Sequence, residues 1–266
     1  MDAFPPIRAF LLDLDGTCYV GSKNLPNTLP FLNFLNEHDI PYLFLTNNSS
    51  TTAQAYVQKL RTRGFPVHDN QVLTCADASA RHLLQETSYR RICLIATKPV
   101  EDEFRRYGFE LTCHEYAQAV LLAFDTTITY QKMEDMAHAL QADLPYYATS
   151  PDITCITERG LTPDVGVFIA GMKVMTGREP VILGKPSKFM VQAALERLGL
   201  HSVEDVAMVG DQLDTDITMG VTHGLISVLV LTGETSLEKV KNFSLKPRFI
   251  ASDLGEILNW MKQSIC

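Results

Sequence analysis

The feature that most constrains this chain is a series of short apolar runs that do not alternate. AFLLDLD (9–15), PYLFLTN (41–47), VILGK (181–185), VAMVGD (206–211) and ISVLVLTG (226–233) place apolar residues on both faces of an extended backbone. Alternation would mark a sheet with one wet face, whereas continuous runs suit parallel strands covered on both sides. Helical patterns lie between them: TLPFLNFLNEH, TAQAYVQKLRTRG with Gly64 as its stop, and KFMVQAALERLGL with Gly199 near its end. Repeated strand–helix units imply right-handed crossovers, and so an α/β fold built on a doubly wound parallel sheet.

The middle of the chain repeats this grammar. RICLIAT (91–97), AVLLAF (119–124) and PYYATS (145–150) read as strands, with helical stretches around 100–107 and 130–142. None of the three ends in the paired-carboxylate or Gly-Asp pattern of the flanking runs. The expected organisation is therefore a smaller α/β unit at 78–179 inserted into a core formed by 1–77 and 180–266. One continuous sheet is the alternative.

Composition narrows the function. Acidic residues outnumber basic ones by 31 to 23, a formal net charge of -8, which disfavours a broad nucleic-acid or anionic-membrane surface. No stretch approaches the roughly 18 consecutive apolar residues of a membrane span. The opening MDAFPPIRAF lacks a basic segment followed by an apolar one, so a secretory signal is not expected. Six cysteines, at 18, 75, 93, 113, 155 and 266, form no CxxC pair and read as reduced, mostly buried thiols. The expectation is a cytoplasmic enzyme or binding protein.

Four strand ends carry candidate chemistry. In open parallel sheets the carboxyl ends of strands line one crevice, so segments distant in sequence can converge there. Asp13 and Asp15 close the first run and Gly16 follows. One carboxylate can hold a hard cation and attack an electrophile, while the other exchanges protons with a leaving group and water. Gly16 lets backbone approach a ligand closely. Thr46-Asn47-Asn48-Ser49-Ser50 closes the second run; one of these residues can cap the following helix, and the hydroxyl and amides there also suit a phosphoryl group. Gly184-Lys185-Pro186 is not a nucleotide loop, because Glu179 and Pro186 stand where that pattern needs glycine and Ser or Thr. A lysine ending an apolar run nevertheless calls for an anionic partner, unless it reaches solvent. Gly210-Asp211-Gln212-Leu213-Asp214-Thr215-Asp216 sets three carboxylates within six residues, an oxygen-only donor set that favours magnesium over zinc. Asp214 is the weakest of these, since a carboxylate at a helix start explains it.

Taken in order, DLDGT, LTNNSS, ATSPD, MTGREPVILGKP, GDQLDTDI and VLVLTGETS resemble the haloacid dehalogenase-like phosphatases, in their NagD-like branch with a large cap domain. The resemblance covers essentially the whole chain. It implies that Asp13 attacks phosphorus to form an aspartyl-phosphate, and that Asp15 protonates the leaving alkoxide and then activates water. Thr46, Asn47, Asn48 and Lys185 would bind the phosphoryl group. Magnesium would be held by Asp13, Asp15 through its carbonyl, and Asp211. Gly16, Gly210 and Asp216 would support the site, Asp216 by orienting Lys185 or a metal-bound water. The inserted unit would be the cap, with Asp125, Thr126 and Thr127 as candidate substrate contacts. Ser150 and Asp164 depart from the asparagine and glycine usual in relatives. The implied substrate is a small phosphorylated metabolite (a nucleotide, sugar phosphate, phosphoglycolate or similar), and the implied assembly is a monomer or a cap-mediated homodimer. Metal-free dehalogenation, a phosphate-storing signalling receiver and a metabolite-binding protein without turnover are the competing functions.

Overall fold

The computed structural model describes residues 4–157 and 160–265. The chain divides into two units. The first gathers the residues up to Thr46, Tyr56–Leu73 and those from Val191 onward; the second comprises Asn47–Ala55 and Thr74–Met190. Each has its own parallel sheet, so one continuous sheet is not what forms.

The first sheet has six strands in the order Phe249–Ala251, Ile226–Val230, Val206–Gly210, Ala9–Asp13, Tyr42–Thr46, Val72–Thr74. All five residues of Ala9–Asp13, Tyr42–Thr46, Val206–Gly210 and Ile226–Val230 are buried, which is why their sequences show no alternation. Helices Thr28–Glu37 and Ala53–Thr62 lie in this sheet's connections, and Leu254–Ile265 follows its last strand in sequence. Gly64 and Gly199 take φ of 80° and 65° just past their helices, where a side chain would be strained.

The second sheet runs Val181–Ile182, Tyr146–Ala148, Ala119–Leu122, Arg91–Ile95, Glu110–Leu111. Its two faces serve two separate cores. Ile92, Leu94, Ala119 and Leu121 pack with Phe104, Leu83 and Leu183, while Cys93, Ile95, Val120 and Leu122 pack with Met136, Leu140 and Met172. Successive residues point to opposite faces, so both sets must be apolar. The expected insert at 78–179 lies inside this second unit.

Several elements differ from expectation. The run at 181–185 forms a strand only at Val181–Ile182 and joins the edge of the second sheet, with Val181 exposed. Val72–Thr74 and Phe249–Ala251 are only three residues long and show no readable period. Two antiparallel pairs, Tyr19–Val20 with Lys23–Asn24 and Thr154–Thr157 with Gly160–Pro163, also lie outside the sequence reading. Cys18, Cys75, Cys93, Cys113 and Cys155 are free thiols, the first three buried, Cys113 exposed and Cys155 between; Cys266 lies outside the described residues. Among the described residues, no helix is long and apolar enough to cross a membrane.

Candidate active site

In the first unit, the order of the strands sets the site. Ala9–Asp13 is central, and the chain proceeds to Tyr42–Thr46 on one side while Val206–Gly210 lies on the other. Asp13 is in register with Leu45, and Leu12 with Val209. The carboxyl ends of these strands therefore open at a switch point, where connecting segments part and leave room for a ligand.

Asp13, Asp211 and Asp216 converge there. One carboxylate oxygen from each lies within 4.8 Å of the others, and all three side chains are buried. Three buried like charges this close repel one another by roughly 3 kcal/mol per pair at an effective dielectric near 20. Such an arrangement requires compensating positive potential.

The backbone is shaped around these carboxylates. The Glu234 amide donates to Asp211 Oδ2 at 2.7 Å, and the Gln212 amide to Asp216 Oδ2 at 3.1 Å. Thr232 Oγ1 donates to the Gly16 carbonyl at 2.6 Å, drawing the loop after Ile226–Val230 toward the 14–19 turn. A Cβ on Gly16 or Gly233 would collide with the Asp211 carboxylate, and one on Gly210 with Asp216. Gly16 also has φ of 86°, so it is fixed by both space and conformation. Asp216 lies in a single π-helical turn, Leu213–Ile217, a form often associated with functional sites. Asp214, on the same turn, is exposed.

Asp15 is placed differently from the triad. Its carboxylate is exposed and accepts a hydrogen bond from Tyr19 Oη at 3.0 Å. Its side chain is not in the buried cluster, whereas Asp216, expected in a supporting role, is. Cys18 Sγ donates to the Asp13 carbonyl at 3.2 Å. Burial, reinforced by Asp13 and Asp15, pushes the Cys18 thiol well above its ordinary value and keeps it protonated. Thr46 is buried at the end of its strand.

The second unit holds the remaining candidates. The Lys185 amide donates to Asn47 Oδ1 at 2.8 Å, and Asn47 Nδ2 donates to the Lys185 carbonyl at 3.0 Å and to Asp152 Oδ2 at 2.9 Å. Gly184 leaves space for Asn47 Oδ1 and the Thr149 carbonyl, which a side chain there would occupy. Asn48 Oδ1 accepts from the amide and hydroxyl of Ser50. The helix cap falls to Thr52, whose hydroxyl accepts from Ala55, and not to residues 46–50. Lys185 is buried, so it does not snorkel to solvent.

Asp125 is also in this unit, with its carboxylate engaged by Lys132 Nζ at 2.6 Å and by the amide and hydroxyl of Thr127. Thr126 and Thr127 are exposed. Asp164 caps helix Val165–Thr176 through the Val165 amide, and burial, with Asp152 reinforcing, pushes its carboxyl up to about 7.

Two family profiles match the chain, one described as haloacid dehalogenase-like hydrolase over residues 10–110 and one as HAD-hydrolase-like over 182–257. The chain belongs to the haloacid dehalogenase-like hydrolases. It is 31% identical over 256 residues to an acid sugar phosphatase of Staphylococcus saprophyticus, covering 96% of this chain and 98% of that protein. The crystal structure of a 4-nitrophenylphosphatase from Thermotoga maritima superposes with a TM-score of 0.91 at 39% identity, covering 96% of this chain and 97% of the other. NagD from Escherichia coli K-12 superposes at 0.87 with 29% identity, covering 95% and 98%. Within the family this chain is a NagD-like phosphatase, a phosphomonoesterase that hydrolyses small phosphate esters. Gly233, which packs against Asp211, has no role assigned in the sequence reading; its place at the close of the apolar run ISVLVLTG is the signal that marks it.

Proposed function

We propose that this phosphatase works through an aspartyl-phosphate on Asp13, with magnesium as its cation. The observation that carries the reading is the buried carboxylate triad at the switch point of the first sheet. Its donors are all oxygen, the kind a hard cation takes, and the glycines at 16 and 233 let the backbone pack directly against the Asp211 carboxylate. Asp13, Asp211 and Asp216 would hold magnesium, and the Asp15 carbonyl is assigned to it by family resemblance. The bound ion would supply electrostatic neutralisation of the phosphoryl oxygens.

Asp13 contributes the nucleophilic oxygen. As its Oδ–P bond forms, the P–O bond to the alcohol breaks, and the Asp15 proton passes to the departing alkoxide. Water then attacks phosphorus, giving its proton to Asp15, and the P–O bond to Asp13 breaks. The products are the alcohol and inorganic phosphate, and both aspartates return to their starting states. Thr46, Asn47, Asn48 and Lys185 are assigned to the phosphoryl oxygens, where positioning and fixed charge supply most of the catalysis. The insert at 78–179 is assigned to substrate selection. Nucleotides, sugar phosphates and phosphoglycolate-like esters form the substrate class.

A phosphate-release screen across these esters with magnesium, run beside Asp13→Asn, tests the reading. Selective turnover that vanishes on chelation and in Asp13→Asn is expected. Turnover surviving either change overturns it.

A further inference from the structure

Tyr19 has no part in the catalytic scheme above. Tyr19 is fully buried, yet its hydroxyl donates to the exposed Asp15 carboxylate at 3.0 Å and accepts from Lys59 Nζ at 3.1 Å. The phenol therefore joins Lys59, on helix Ala53–Thr62, to Asp15, just beyond the central strand.

The local backbone makes this juxtaposition. Leu14 O accepts from the amides of Cys18 and Tyr19 at 2.8 and 3.2 Å, and the Gly16 amide donates to the Tyr19 carbonyl at 2.8 Å. That closed turn sets Tyr19 back beside Asp15, four residues earlier. The ring is then locked by two cations: Lys59 Nζ lies 4.5 Å and the Arg63 guanidinium 4.3 Å from its centroid. Arg63 is held in turn by the Gly21 carbonyl at 2.5 Å. Cation–π contacts of this kind contribute roughly 0.5–2 kcal/mol each and favour one ring position.

An exposed carboxylate on its own samples several rotamers. A donor fixed on a buried, doubly clamped ring selects one of them. The ammonium hydrogen bond to Tyr19 Oη also polarises the phenol and makes it a stronger donor. A phenylalanine would fill the same space and keep both cation contacts, so ring packing alone does not account for the hydroxyl.

We propose that Tyr19, backed by Lys59, is the positioning residue for the Asp15 carboxylate. This rests on the reading of Asp15 as the proton donor and acceptor. Tyr19 touches neither substrate nor metal in this scheme; it acts by holding Asp15 where the leaving oxygen and then the water will be.

The test is a double-mutant cycle between Tyr19→Phe and Asp15→Asn, using an alkyl phosphomonoester and 4-nitrophenyl phosphate with magnesium. Tyr19→Phe should lower kcat for the alkyl ester about 10- to 100-fold, the scale expected when a catalytic group is misplaced by about an ångström. KM should stay within about twofold. With 4-nitrophenyl phosphate, whose leaving group needs little protonation, the first turnover should remain fast while later ones slow, giving a burst of 4-nitrophenolate. In the Asp15→Asn background Tyr19→Phe should cost nothing further; losses that multiply would mean that Tyr19 acts independently of Asp15 and would overturn the proposal. Full turnover in Asp15→Asn would reject the role of Asp15 itself. An impaired Asp15→Asn beside an unimpaired Tyr19→Phe would reject only the present inference. Should Tyr19→Phe not fold, Lys59→Met takes its place: a several-fold loss of kcat that disappears in the Asp15→Asn background is expected, and no loss overturns the proposal.

Discussion

Replacing Asp211 by asparagine should make the metal-free protein more stable, although it removes a residue from the heart of the site. The substitution is nearly isosteric, and an amide oxygen can still accept from Glu234. What changes is charge. Asp211 belongs to two of the three pairs in the triad, whose ligand oxygens lie within 4.8 Å. At an effective dielectric near 20 the two repulsions total on the order of 6 kcal/mol. Losing the ionic character of the hydrogen bond from the Glu234 amide costs about 1 kcal/mol, and burying an amide NH2 where a carboxylate oxygen stood costs about 3 kcal/mol more. A net gain of about 2 kcal/mol is expected in chelator, or about 4 to 8 °C in the unfolding midpoint. Magnesium should reverse the order. At 100 times its Kd it stabilises the wild type by about 2.7 kcal/mol, while the variant gains little. Thermal unfolding of both proteins, with chelator and then with magnesium, gives all four values. A variant less stable than wild type in chelator, or one stabilised by magnesium to the same extent, would refute the reasoning.

Asp164 should make the second unit sensitive to pH. Its carboxyl titrates near 7 in the folded protein against an ordinary value near 3.8, so the folded state holds the proton more tightly. The associated stability is full below about pH 4 and is lost as pH rises to about 7; at 1.36 kcal/mol per unit it amounts to roughly 4 kcal/mol. Asp164→Asn should flatten that part of the stability profile measured by urea unfolding, and an unchanged slope would exclude this carboxyl as its source. Asp125→Ala strips the buried partner from Lys132 and from the Thr127 amide, and should cost about 2–4 kcal/mol by the same measurement. A loss under 1 kcal/mol would show that the pair is not structural.

Much of this architecture was legible because the strands of both sheets are buried on two faces. The runs ending at Asp13, Thr46 and Asp211 announced themselves as apolar blocks stopped by polar residues, and the first sheet places those stops together. Edge strands were less legible. Val181–Ile182 is short and half open to solvent, so apolar content alone overstates its length and groups it with the core runs, whereas it pairs with Tyr146–Ala148 in the second sheet. Asp216 shows a different limit. Its spacing from Asp211 places it in an oxygen-only donor set and the family resemblance implies a supporting role, but the π-helical turn at Leu213–Ile217 is what brings its carboxylate beside Asp13. The Tyr19 hydroxyl carried no sequence signal at all, since a tyrosine after DGT reads as core until the turn that folds it back onto Asp15 is seen.

The most direct test of the account is to catch the phosphoryl group on the protein. Enzyme in excess is mixed with substrate and magnesium, quenched in acid within the first turnover and digested, and the phosphorylated peptide is sequenced by mass spectrometry. Phosphate is expected on Asp13, accumulating further in Asp15→Asn and absent from Asp13→Asn. Phosphate on another residue, or unmodified Asp13 throughout a turnover that releases phosphate, would contradict the mechanism.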